Sequence, residues 1–291
     1  MLDQPLPDLD SWVAFFSEAE LPVLRQTGRR LEEAQVDIDK LNGRDIAAIV
    51  LQDPLMAVRV LSYIQPLNSQ RLHSDITNIG NAIMMQGVYP FFANIGTPPT
   101  IETMLRAEPQ ALLGVIQVIR RAQRASRYAH DWAFDRHDMN IDEVTLAALL
   151  HDLPEILLWS FAPKLAIAIR DLQQADPKLR SAMAQEKVLG IRLVDLLLAL
   201  CDVWHLPNLL RTLMDDNNAH IPRVQNVTLA VNLARHSVNG WENPGLHEDF
   251  AGIEKLLRLD RETLLKRLEV PEDSRAPYLV PAESGGEPPS A

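Results

Sequence analysis

The stretch Asp142–Trp159, DEVTLAALLHDLPEILLW, decides the fold. Its apolar residues recur at intervals of three and four, which is the period of a helix and not of a strand. His151-Asp152 sits in its middle, and Pro154, which can open a helix but not continue one, follows two residues later. The stretch therefore reads as two consecutive helices meeting at a His-Asp pair. A neutral imidazole and a neighbouring carboxylate can both bind one divalent metal, but a metal site needs further ligands from other helices. The dipeptide also recurs at His130-Asp131 and His137-Asp138. The competing reading is structural: Asp152 caps the helix that begins at Pro154, and His151 bonds a carbonyl.

The same helical period extends outward in both directions. Asn42 with Asp45 resembles a capping box before IAAIVLQ, and Asp53-Pro54 places an acidic cap before LMAVRVLSYI. Thr77 is expected to cap a short helix through Met85, with Gly87 as its stop. Pro109 opens a long helix expected to reach about Arg136, and Asn140 or Asp142 starts the helix carrying LAALLHD. Pro163, Pro177, Pro207 and Pro222 each stand near the start of a further apolar-periodic run, and Asp260 caps the last one, through about Glu269. This amounts to roughly a dozen helices with no convincing strand pair.

Composition bounds the function. The 291 residues carry 28 bases and 39 acids, for a net charge of −11. Such a surface disfavours non-specific nucleic-acid binding, so no DNA partner is expected. The single cysteine, Cys201, excludes an intramolecular disulfide and fits a reducing compartment. It lies in LLLALCDVW and reads as core. The acidic, Pro-bearing start MLDQPLPDLDSW lacks the charge and apolar run of a secretory signal. No run reaches the ~18 apolar residues of a membrane span, and Val194–Val203 is interrupted by Asp195 and Asp202. The chain is expected to be soluble and cytoplasmic, without a membrane partner.

Four stretches, in this order and spacing, give the chain a family resemblance. They are ELPVLRQTGRRLEEAQ (20–35), LNGRDIAAIVLQDPLMAVRVLSYIQPLNS (41–69, with Asp53-Pro54 and Asn68-Ser69), DITNIGNAIMMQGVYPF (75–91, with Ala82-Ile83 and Gly87), and the His-Asp helix itself. With weaker similarity downstream, Glu20 to Trp241 resembles the HDOD family, the HD-related output domain of bacterial signalling proteins. The resemblance implies an all-α, two-lobed, multi-helix HD-like architecture. The expected division is an N-terminal helical extension (1–19), an N-terminal lobe (20–98), an HD-like lobe (99–270) and a disordered acidic tail rich in Pro, Gly and Ser (271–291).

Departures from the parent HD pattern carry the functional argument. In catalytic HD phosphohydrolases, a His on the preceding helix, the HD pair and a later Asp hold the metal. Here the first His would fall near Val118–Arg121, where VIRR stands, and the later Asp near Arg235 in LAVNLARHSVN. Paired histidines of related phosphodiesterases become approximately Asp215-Asp216. HD-Ile-Gly-Lys becomes HDLPE, with Glu155 at the lysine position. His151 and Asp152 are thus vestigial metal candidates, with no cofactor expected, and Arg235 is expected to replace the cation by pairing with Asp152.

A second feature is the basic stripe Arg120, Arg121, Arg124 and Arg127, of which 120, 124 and 127 share one helix face. Arginine suits bidentate recognition of carboxylate or phosphate, so these residues and Arg235 are binding candidates; the alternative is a solvated face paired with local acids. Asp195, Asp202 and His205 share a face and read as a polar helix edge more than as a metal site.

The resemblance implies a non-catalytic signalling output or adaptor module, acting in trans on a protein partner through helix faces and the groove between the lobes. Two alternatives stand beside it. One is a metal-dependent phosphohydrolase in which metal-bound water attacks a phosphate ester. The other is a module that binds a nucleotide second messenger, such as a cyclic dinucleotide.

Overall fold

A computed structural model describes residues 1–72, 77–95, 98–176 and 179–279. Asp75 and Ile76 of the third resemblance stretch, Gly96-Thr97, Pro177 and residues 280–291 lie outside the described residues, as do the side chains of Asn68 and Ser69. The chain is all-α. No strand ladder occurs among the described residues, where Val23 and Thr100 form one isolated parallel bridge.

The first helices are α1 (Leu9–Glu18), α2 (Arg25–Val36), α3 (Gly43–Val50), α4 (Pro54–Leu72), α5 (Ile79–Gln86), α6 (Val88–Ile95) and α7 (Ile101–Met104). Then come α8 (Pro109–Asp135), α9 (Ile141–Leu150), α10 (Leu153–Phe161), α11 (Pro163–Ala175), α12 (Ser181–Leu189) and α13 (Leu193–Val203). The chain continues through α14 (Asn208–Leu213), α15 (Pro222–His236), α16 (Leu246–Leu257), α17 (Arg261–Arg267) and α18 (Glu272–Leu279).

Local chemistry places many of these boundaries. Asn42 and Asp45 form the reciprocal capping box of α3. Asp53 is fully buried, and its Oδ1 accepts from the Leu55 and Met56 amides at the start of α4. Its Oδ2 accepts from Leu24 N at 2.7 Å, so this one carboxylate joins α4 to the chain entering α2. Burial pushes the Asp53 carboxyl up against the downward pull of those amides and of Thr27. Gly87 ends α5 at φ +94°, a conformation that favours glycine. The cap of α5 is Asn78, which accepts from Asn81 N, and not Thr77. The Thr77 hydroxyl instead donates to Glu143 Oε1 at 2.7 Å, a link to α9.

The 27-residue α8 is the central strut, packed by α9, α10 and α15. Its buried face runs through Ala111, Gly114, Val115, Val118, Ala122, Ala125 and Ala129, at helical spacing. Small residues there let partners approach closely: a Cβ on Gly114 would lie 2.5 Å from the Trp159 ring of α10. Ile141–Phe161 is long and apolar enough to cross a membrane by length and composition alone, but 78% of its most apolar window is buried inside the molecule. It is core, interrupted by the turn at His151-Asp152.

The parts expected to be separate are tied together. Ile101 N donates to Val23 O and Val23 N to Pro99 O, stitching residues at the expected lobe boundary back to the first lobe. Helix α1 packs on α13; Trp12 and Phe16 are fully buried, and Leu2 N donates to Phe161 O at 2.7 Å. At the other end, Asp260 caps α17, but α18 follows it and buries Tyr278, whose ring stands edge-on to Phe250. The segment 272–279, expected to belong to an unstructured tail, is therefore helical and packed.

Candidate functional site: an arginine-locked His-Asp turn and its cleft

The turn between α9 and α10 sets His151 and Asp152 against α8 and α15. Asp152 occupies the N-cap position of α10 but does not cap it with its side chain. The carboxylate is held by two arginines instead. Arg121 Nε on α8 donates to Oδ2 at 2.7 Å, and Arg235 Nη2 on α15 donates to Oδ1 at 2.8 Å. The pairing expected of Arg235 is formed. Arg121, which falls where the HD pattern would put its first histidine, is a second partner. Its Nη2 also donates to Glu155 Oε2 at 2.7 Å, so the glutamate at the lysine position completes a fork on one guanidinium.

On the other side, His151 Nε2 lies 3.4 Å from Asp216 Oδ1, the residue placed near the paired-histidine position. Asp216 also accepts from Thr228 Oγ1 at 2.8 Å. Asp215 turns away to cap the local 3-10 turn through Asn217 N. His151 Nδ1 is buried without a hydrogen-bond partner, 3.9 Å from Asp152 Oδ1. Among the described residues His151 bonds no carbonyl and the Asp152 side chain does not cap α10, so the structural alternative in the sequence is not formed.

The electrostatics follow from this arrangement. Burial alone would raise the Asp152 pKa, but Arg121, Arg235 and His151 hold it well below the usual carboxylate range. Burial opposes charge on Arg121, and Asp152 with Glu155 outweighs it, keeping the guanidinium firmly protonated. For His151, desolvation pulls down while the Asp152 and Asp216 carboxylates pull harder, so its pKa rises to about 9. Asp216 is lowered in return: burial would raise it, but His151 prevails. Three cations (Arg121, Arg235 and His151) therefore face three carboxylates (Asp152, Glu155 and Asp216).

These residues do not fit a divalent metal. Both Asp152 oxygens accept from guanidiniums, and the one free imidazole nitrogen has no third ligand beside it. No cluster of three or more His, Cys, Asp or Glu side chains suited to a metal exists among the described residues. The other sequence candidates are dispersed. Asp195 pairs with Arg192 and Asp202 with Arg211 at the surface, His205 is exposed, and His130 contacts its neighbour Asp131. Cys201 is buried, and desolvation pushes its thiol up to about 12, as expected of core.

The arginine stripe lies in a cleft of about 970 Å³ that opens above the lock. Arg120, Arg121, Arg124 and Arg127 all line it, and so does Arg235. Arg121 and Arg235 belong to the lock, whereas Arg124 Nη2 is spent on Ala234 O at 2.7 Å. Arg120 and Arg127 are exposed, with no hydrogen bond or ion pair among the described residues. The cleft is formed by residues from 114 to 243, so it lies within the expected HD-like lobe and not between the lobes. Sequence reasoning missed Arg170 of α11, which reaches the cleft and stacks 5.9 Å above the Trp159 ring. It also missed His236, which lines the same cleft and whose Nδ1 contacts the buried Asp249 carboxylate at 2.6 Å. No local motif marks either residue; both depend on distant helices meeting.

Comparison with known proteins places the fold and the family. No curated protein matches the sequence. The fold resembles the MmoQ response regulator of Methylococcus capsulatus, at 15% identity and TM-score 0.63, covering 87% of this chain and 99% of that one. It also resembles a virulence factor of Campylobacter jejuni, at 17% identity and TM-score 0.66, covering 93% and 99%. At such identities the likeness is one of fold. The sequence profile of the HDOD domain matches residues 21–220, and the chain belongs to the HDOD family.

Proposed function

We propose that this protein is a non-catalytic output or adaptor module of bacterial signal transduction, working in the cytoplasm on a protein partner. The observation that carries the reading is the double guanidinium on Asp152. A divalent cation at an HD turn needs that carboxylate free, and two fixed positive charges beside it oppose a third. The arginines do structurally what a metal would otherwise do: they clamp α8, the α9–α10 turn and α15 together. Membership in the HDOD family and the likeness to a protein described as a response regulator support a signalling role.

Metal analysis of the purified full chain tests the proposal. The expected content of iron and manganese is far below one equivalent, before and after incubation with either ion. Stoichiometric metal that disappears in His151→Ala, together with phosphoesterase turnover, would overturn it in favour of an HD-type hydrolase.

A further inference from the structure

The cleft above the lock has a charge pattern that the lock does not use up. Among the described residues its lining includes six arginines, Arg120, Arg121, Arg124, Arg127, Arg170 and Arg235, and one carboxylate, Glu155, which Arg121 already holds; Arg170 is paired with Asp171 at 3.0 Å. The chain as a whole is acidic at −11, so this concentration of positive charge runs against the composition. A concave, low-dielectric wall focuses such a field toward an incoming anion. From this cleft we infer a binding site for a small-molecule ligand carrying at least two phosphate groups. The inference rests on the non-catalytic reading in one respect: the ligand is held, not hydrolysed.

Three observations select this chemistry. Guanidiniums outnumber every other charged group in the lining, and their planar forks match phosphate oxygens. Arg120 and Arg127 stand on one face of α8 and have no hydrogen-bond or ion-pair partner among the described residues. Seven residues at 1.5 Å per residue set them about 10 Å apart along the helix, room for two phosphate groups in place of one. The remaining wall is rich in amides, among them Gln117, Gln173, Gln174 and Asn239, which can donate to and accept from the uncharged body of such a ligand. An acidic peptide would use the same charges. However, the cleft is a concavity of about 970 Å³, within the range of a small-molecule site, and Leu158, Trp159 and Ile169 in its lining offer apolar contact to the body of such a ligand.

Isothermal titration of the full chain against three probes tests the site: inorganic phosphate, the 5′-phosphorylated dinucleotide pApA, and an octaglutamate peptide. The expected order is pApA at least about tenfold tighter than inorganic phosphate, with affinity falling steeply with salt. Arg120→Glu and Arg127→Glu, both exposed and outside the lock, are each expected to weaken pApA at least about tenfold while leaving the fold intact by circular dichroism. Three results would each overturn the inference: no saturable binding of pApA below about 1 mM, binding that both charge reversals leave unchanged, or binding of octaglutamate alone. The metal assay is a separate readout. A metal-loaded chain sinks the non-catalytic reading, whereas failure of pApA to bind sinks only the ligand site.

Discussion

Arg121 on α8 and Asp152 at the α9–α10 turn lie 31 residues apart and meet at 2.7 Å, with 12% and 4% of their side chains exposed. A buried ion pair is a poor source of net stability compared with a well-packed apolar pair, but breaking one side leaves an uncompensated charge. Asp152→Ala would leave Arg235 without its carboxylate and Arg121 with Glu155 alone. The expected cost is roughly 3–5 kcal/mol in urea denaturation. Arg121→Met should cost less than Asp152→Ala, because Asp152 keeps Arg235. Equal losses in the two variants would show that the cluster does not work as a shared clamp.

The pH dependence of stability follows from His151. Its folded pKa of about 9 lies above the ordinary imidazole value of 6.5, so the folded state binds its proton more tightly than the unfolded chain does. The stabilisation is fully present below about pH 6.5 and is lost as pH rises through about 9; its upper limit is about 3 kcal/mol. Asp152 and Asp216 are both lowered, so their contributions fade on the acid side, as pH falls below the usual carboxylate range. Denaturation midpoints measured at pH 6, 7.5 and 9.5 should decline across this series. His151→Gln should flatten the decline; an unchanged slope in that variant would exclude His151 as its source.

Asp53 offers a test far from the cleft. Removing its carboxylate strips acceptors from the amides of Leu24, Leu55 and Met56 in a fully buried place. Asp53→Ala is expected to cost about 2–4 kcal/mol, a helix cap together with an orphaned buried donor. Calorimetric unfolding measures it, and a loss below 1 kcal/mol, roughly the value of an ordinary exposed cap, would contradict the bridging role given to this residue.

Two glycines should respond with opposite sign. Gly114→Ala pushes a methyl to 2.5 Å from the Trp159 ring and is expected to destabilise by about 1–3 kcal/mol, with a change in tryptophan fluorescence. Gly28→Ala on α2 meets nothing within 4 Å and is expected to stabilise by about 0.4–1 kcal/mol. Parallel melts of the two variants check both.

What could be read from the sequence was local. Asn42, Asp53, Pro109 and Asp260 mark helix starts through chemistry confined to one turn, and the structure has them there. Asn78 and not Thr77 caps α5, and the Thr77 hydroxyl donates to Glu143, 66 residues away, a contact no local pattern marks. Pairing of Arg235 with Asp152 could be anticipated from the order of HD-type positions. Arg121 was placed near the missing first histidine yet grouped with the stripe, since its side chain turns toward Asp152 and Glu155 only once α8 and α10 are packed. The helix at 272–279 was hidden by a composition rich in Pro and acids; Tyr278 is what anchors it.

The way α1 and α15 are tied to the core means that the recognisable family segment is smaller than the packed unit of this chain. A polypeptide trimmed to 21–220 would keep His151, Asp152 and Arg121. It would lose Phe16, which packs on Phe161, Trp12, which stacks on Phe16, and the α15 wall that carries Arg235. Homology marks what this chain shares with its relatives, whereas its packed core takes in flanks that the shared pattern does not reach.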